Sequence, residues 1–216
     1  MSELRLADAE TLADLATYVA RARTLDADGA VRLHASGTAL AAYVGVLAGH
    51  GLMHQGAVIG MRVMPLAEPA ELDVTVPLAG ITDRLARHAQ GAGADGAAAA
   101  TLPVPPTTVR VGWAAMAPPR SGWEPVGELT AAELRDAATA GIAEIAQGSP
   151  EGSGAHAVTA LRQRVWGRPT ATTPPVPAGS AFAAYALGFL TGGPVRVFAH
   201  GRWTRVSTDA GHVLVR

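Results

Sequence analysis

The sequence predicts an α+β protein: an antiparallel sheet with flanking helices, followed by a helical unit closed by a small terminal antiparallel sheet. Residues 31–78 contain short runs that alternate apolar and polar residues between glycine-containing turns, a pattern typical of antiparallel strands. Residues 130–190 contain three segments with apolar residues at helical spacing. Three further alternating runs then lead to Arg216, which predicts a terminal meander.

The first predicted domain, residues 1–116, begins with a helix from Asp8 to Leu25, which has acidic residues in its first turns. Strands are predicted at 31–35, 40–46, 57–64 and 72–78, and a second helix at 81–88. Pro77 predicts that the strand 72–78 ends there or lies at an edge. Glycine and proline predict a loop or linker over 90–106, and alternation predicts another strand over 108–113.

The second predicted domain, residues 128–216, follows an irregular proline-rich connection at 117–127. Thr130 and Glu133 predict a capping box at the start of a helix that runs to about residue 147. An apolar stripe predicts a second helix that ends at Gly167, and the segment 178–190 predicts a third. The third segment has no charged residue, so it is predicted to be buried on nearly all sides. Strands are predicted at 195–199, 203–207 and 212–215.

Composition excludes several kinds of chemistry. The chain has 216 residues and no cysteine, which excludes disulfides, thiolate metal sites and thiol nucleophiles. All 17 basic residues are arginine, which excludes Schiff-base lysines and the lysine of a Walker-type phosphate loop. The N-terminus does not resemble a signal peptide, and no run reaches the about 18 apolar residues that a membrane span needs. These features predict a cytoplasmic protein.

The two halves of the chain differ strongly in charge. Residues 1–160 contain 17 acidic and 10 basic residues, a net charge of −7. Residues 161–216 contain seven arginines and one acidic residue, a net charge of +6. This asymmetry predicts that the basic part faces an acidic partner, either the other part of the same molecule or a separate one.

Two motifs associated with ligands are better explained as loops. Residues 91–96 match the glycine spacing of a dinucleotide-binding fingerprint, but they follow a predicted helix, and no acidic residue lies at 111–116. His50 and His54 have the spacing of a helical metal site, but the glycines around them predict a mobile loop. We therefore predict no metal ligand, no cofactor and no catalytic residue, although a triad assembled from distant histidines stays open.

The candidate binding residues are arginines and tryptophans of the second half. Trp123 lies between Arg120 and Glu124 on the proline-rich connection, where it either anchors a binding partner or packs between the two parts of the chain. Trp166 is a similar anchor at a helix end. On the terminal strands, arginines alternate onto the same face as aromatic residues, which favours binding of a carboxylate, a phosphate or an acidic partner. The full candidate set is Arg120, Trp123, Trp166, Arg168, Arg196, Arg202, Trp203 and Arg205.

Three helices followed by a β-hairpin is also the chain order of a winged-helix domain, and the net charge of +6 is what nucleic-acid binding needs. However, the third helix should present polar and basic residues to a groove, and among residues 178–190 only Ser180 and Tyr185 have side-chain donors. This helix is better explained as part of the core or as the interface of a homodimer.

Three segments, 118–127, 165–169 and 194–215, resemble a family of uncharacterised proteins from GC-rich actinobacteria. The resemblance covers mainly the second half and implies no activity. Our leading hypothesis is a non-catalytic cytoplasmic interaction or structural protein that acts as a homodimer. The alternatives are a nucleic-acid-binding protein that uses the basic part, and a small-molecule-binding protein or enzyme with its site near Arg120 and Trp123.

Overall fold

The computed structural model describes residues 3–51, 53–91, 100–149 and 154–216. The chain divides into two compact units, of which the first holds residues 1–45 and 61–116 and the second holds 46–60 and 117–216. Both units combine helices with antiparallel strands, so the predicted α+β class is confirmed. Within the described ranges, no helix has the length and apolar character needed to cross a membrane.

The first unit contains a sheet with the strand order β5-β2-β3-β4. β2 (Ala30–Ser36) pairs antiparallel with β3 (Ala39–Leu47) and with β5 (Leu72–Pro77), and β4 (Val58–Pro65) follows β3. Apolar residues alternate into the core along β2 and β3, which confirms the strands predicted from alternation. β5 is the last strand of the order, as Pro77 indicated.

Two helices complete the first unit. α1 (Ala9–Leu25) begins after Asp8, whose carboxylate accepts a hydrogen bond from the Thr11 amide at 2.7 Å. Its buried stripe includes Leu15 and Tyr18, which confirms the predicted helix. α2 (Leu78–Gly91) packs against α1 and is longer than the predicted 81–88, because it starts directly where β5 ends.

Three predictions for the connecting segments are wrong. Residues 90–106 contain β6 (Thr101–Pro103), which pairs antiparallel with β1 (Glu3–Arg5) in a two-stranded sheet. Residues 108–113 form no strand, because a short 3₁₀ helix begins at Gly112 and interrupts the extended chain that alternation predicted. The supposedly irregular segment 117–127 leads into β7 (Glu124–Thr130). The glycine motif at 91–96 lies outside the described residues beyond Gly91.

The second unit contains a sheet with the strand order β10-β9-β8-β7. β8 (Pro194–His200), β9 (Trp203–Thr208) and β10 (Gly211–Val215) form the predicted terminal meander, and β7 pairs antiparallel with β8. The start of β4 lies beside β10, where the Arg216 amide donates to the Ala57 carbonyl at 3.1 Å.

Three helices complete the second unit, and the first and third of them pack against its sheet. α3 (Ala131–Gly148) begins with the predicted Thr130–Glu133 capping box, and α4 (Ala155–Gly167) ends where predicted. α5 (Ala178–Ala186) packs against α3, α4 and β10 with six of its nine residues buried, which confirms that this uncharged helix is core. It ends earlier than the predicted residue 190, because Gly188 adopts a left-handed φ of +73°.

Candidate functional site

The predicted binding residues all lie in the second unit, at three places. Arg120 and Trp123 lie on the loop before β7. Trp166 and Arg168 lie at the end of α4. The remaining four lie on β8, on β9 and in the turn between them: Arg196, Arg202, Trp203 and Arg205.

The register of β8, β9 and β10 separates an apolar face from a basic one. Phe198, Arg205 and Leu214 lie directly opposite one another across the three strands. Arg196, Ser207 and His212 form the next such row. We call this side of the sheet the arginine face. The other side is the buried core side, and it presents valines 195, 197, 206 and 213.

Arg205 has the most unusual environment on the arginine face. Its guanidinium carbon lies 4.7 Å from the centre of the Trp123 ring and 4.3 Å from that of Phe198. Its Nε is buried and has no hydrogen-bond partner in the described part of the chain. Burial lowers the pKa of Arg205, because the charged form loses hydration. The side chain is nevertheless only partly buried, so an anion has access to it.

Trp123 is held beside Arg205 by local contacts. Its indole Nε1 donates to the Pro119 carbonyl at 2.9 Å, and its ring packs edge-on to His200 with centroids 5.9 Å apart. The His200 Nδ1 lies 2.7 Å from the Gly122 carbonyl. Because a carbonyl only accepts, this nitrogen bears the proton. Gly122 has a φ of +75°, and an added Cβ there would lie 3.0 Å from the His200 ring, so glycine is required.

Two of the other predicted arginines lie beside acidic side chains. Arg196 pairs with Glu128 at 3.6 Å, and Arg168 pairs with Glu144. Arg120 is exposed on the loop that holds Trp123, and Arg202 is exposed in the β8–β9 turn.

Two further side chains of the sheet are largely buried. Trp203 is only 6% exposed, with the Arg216 guanidinium 5.5 Å from its ring centre, so it supports the sheet and is not displayed. The His212 Nδ1 lies 3.0 Å from the Ser207 hydroxyl. Burial lowers the pKa of His212, and the positive charge of Arg205 lowers it further.

A separate cavity of about 310 Å³ lies beside α4 within the second unit. One wall is the face of α4 formed by Thr159, Arg162, Gln163 and Trp166, which recur at helical spacing. The other wall comes from the chain around residues 46–56. Sequence reasoning recognised Trp166 but missed Arg162 and Gln163 as cavity residues, because the opposite wall is more than one hundred residues away in sequence.

The histidine pair of residues 50 and 54 does not lie on a helix. The backbones of His50 and Gln55 form a small antiparallel bridge, and His54 has a left-handed φ of +50°. Among the described residues, no cluster of three or more histidine, aspartate or glutamate side chains is arranged to hold a metal ion.

Two family models match the chain. Residues 1–106 match a domain of unknown function, DUF8010, and residues 118–216 match a second domain of unknown function, DUF8185. A search of the curated proteins found no match. The chain is therefore similar to two domain families whose function is unknown, one over each half.

Proposed function

We propose that this chain is a non-catalytic interaction protein in which Arg205 binds a carboxylate of a protein partner, and that the partner is a second copy of the chain. The observation that supports this most directly is the environment of Arg205. Two aromatic rings hold its guanidinium, and no carboxylate among the described residues pairs with it. A partly desolvated guanidinium in this state binds a carboxylate through charge-assisted hydrogen bonds, often two at once.

The charge distribution favours a second copy as the source of the carboxylate. Residues 1–160 have a net charge of −7, whereas residues 161–216 have a net charge of +6. A copy of this chain therefore offers many carboxylates to a site in the basic part of another copy. The homodimer, the cytoplasmic location and the actinobacterial origin expected from the sequence stay proposals.

A nucleic-acid partner is less well supported. The helix that would enter a groove, α5, has six buried residues. Phosphate binding along a backbone also needs several unpaired basic residues, but Arg196 and Arg168 are paired with glutamates. Glu128 is exposed on β7 directly opposite Arg196 of the arginine face, where it repels a polyanion.

The proposal is tested by sedimentation velocity on the wild type, Arg205→Gln and Arg202→Gln, at micromolar concentration and at two salt concentrations. We expect a wild-type dimer whose dissociation constant rises about tenfold or more in Arg205→Gln, because a desolvated ion pair is lost. Arg202→Gln removes an exposed arginine of the β8–β9 turn and should change the constant little.

A monomeric wild type would refute the homodimer, and equal effects of the two variants would refute the role of Arg205. Retention of the wild type on DNA or heparin, lost in Arg162→Gln, Arg164→Gln and Arg205→Gln, would support the nucleic-acid alternative instead.

A further inference from the structure

We infer that the cavity beside α4 is a binding site for a small organic carboxylate with an apolar body. This inference does not depend on the proposed role of Arg205, because its residues lie on α4 and on the chain around 46–56. The cavity, at about 310 Å³, lies at the lower end of the range for small-molecule sites.

The walls of the cavity suit an apolar ligand body. Val46, Leu47 and Ala48 line one side, and the indole of Trp166 lines the other. Leu47 also packs against the buried cluster that contains Trp166, so this wall is backed by packed side chains. An aromatic or aliphatic group placed here is removed from water on both sides, which favours binding.

Arg162 supplies an unpaired positive charge at the cavity. It is exposed, and no acidic partner is found for it in the described part of the chain. Arg168, six residues further on, shows the contrasting situation, since Glu144 neutralises it. An anion that enters the cavity therefore meets an arginine whose hydrogen-bond donors are not already used by a carboxylate.

Trp166 supplies a buried hydrogen-bond donor. The residue is only 5% exposed, and its Nε1 has no acceptor among the described residues. The edge of its six-membered ring lies against Gly141, and one ring face stacks on Phe182 at 4.6 Å. The edge that bears Nε1 is not the one that contacts Gly141, and Trp166 is one of the residues that line the cavity. A buried donor without an acceptor is costly unless a ligand satisfies it.

The polar groups on the α4 side of the cavity favour an acceptor-rich ligand. Arg162 and Trp166 only donate, and the Thr159 hydroxyl already gives its proton to the Ala155 carbonyl at 2.9 Å. Gln163 adds an amide that both donates and accepts. A carboxylate offers two acceptor oxygens and the negative charge that Arg162 requires, whereas a neutral or cationic ligand leaves these donors or this charge unmatched.

The test uses ¹⁵N-labelled protein and follows the indole N–H signals of the four tryptophans, with Trp166→Phe identifying the Trp166 signal. The probes are benzoate and hexanoate, with benzamide as a neutral analogue and inorganic phosphate as an anion without an apolar body. We expect both carboxylates to shift the Trp166 signal, and benzamide and phosphate to shift it far less. Arg162→Gln should weaken benzoate binding about tenfold, whereas Arg164→Gln, an exposed arginine of the same helix, should not.

Other results would overturn the inference. One such result is a Trp166 signal that neither carboxylate shifts. Another is that Arg162→Gln and Arg164→Gln weaken benzoate binding equally, and a third is that benzamide binds with the same affinity as benzoate. Arg205→Gln separates this site from the one proposed for the partner carboxylate. If Arg205→Gln abolishes benzoate binding while Arg162→Gln leaves it intact, the carboxylate binds at the arginine face and the cavity site is wrong.

Discussion

Any side chain at Gly141, in the middle of α3, is expected to destabilise the protein, although glycine normally weakens a helix. An ideal Cβ at this position would lie 2.3 Å from Cζ3 and 2.7 Å from Cη2 of Trp166. Non-bonded carbon atoms are most stable at about 3.5–4.0 Å, so the overlap exceeds 1 Å. Trp166 has little room to retreat, because it is 5% exposed and stacks on Phe182.

The magnitude of Gly141→Ala follows from two opposing effects. Alanine is favoured over glycine inside a helix by about 1 kcal/mol. Forcing an extra methyl group into a packed core costs typically 1–3 kcal/mol, and the contact here is at the severe end of that range. We therefore expect a net loss of roughly 1–2 kcal/mol, which is a fall of about 2–8 °C in Tm for a chain of this size.

Urea denaturation followed by tryptophan fluorescence measures this effect, and Gly167→Ala is the matched control. Gly167 is the last residue of α4, and an added Cβ there would meet nothing within 4 Å. Gly167→Ala should be neutral or slightly stabilising. The double variant with Trp166→Phe should recover part of the loss, because the smaller ring relieves the overlap. If Gly141→Ala is as stable as the wild type, the close packing of Trp166 on α3 is wrong.

Two further predictions concern charge. Arg32 binds Asp73 through two hydrogen bonds of 2.7 Å and lowers the pKa of that carboxyl. The stabilisation that results is complete above the pKa of about 3.9 that the carboxyl has in the unfolded chain. It is lost as the pH falls through the lower pKa of the folded protein. Acid denaturation should therefore show the advantage of the wild type over Asp73→Asn disappearing below about pH 4, and a constant difference would contradict this. Removing the charge in Arg205→Gln should raise the depressed pKa of His212, measured by NMR titration, and an unchanged pKa would show that the two groups do not interact.

Elements with a strong internal pattern could be predicted from the sequence. The absence of charge in α5 predicted burial, since an uncharged helix has no face that favours water, and six of its residues are buried. The terminal strands were predicted because alternation shows directly which residues face the core. On β8, Arg196 and Phe198 do lie on the face opposite the buried Val195 and Val197.

Elements that depend on distant partners could not be predicted. β1 and β6 have three residues each, too few to show alternation, and they pair across about one hundred residues of sequence. β7 contains Pro125 and an irregularity between Pro125 and Gly127, features that resemble a loop until β8 is placed beside them. On α3, Ile142 is 38% exposed, whereas its neighbour Gly141 lies against Trp166 of α4, a contact that the sequence of α3 alone does not indicate.

Net charge alone does not identify the arginines that the two proposals concern. The +6 of residues 161–216 suggests a broad basic face, but Arg168 and Arg196 each lie against a glutamate from earlier in the chain. A nearby carboxylate offsets part of an arginine's charge, and where the two groups are hydrogen-bonded, as in Arg168 and Glu144, it also occupies guanidinium donors. Binding capacity therefore depends on which arginines lack an acid and how their surroundings hold them. Arg205, held by two rings, suits a carboxylate delivered by another protein surface, whereas Arg162, at the mouth of an apolar cavity, suits one attached to a small molecule.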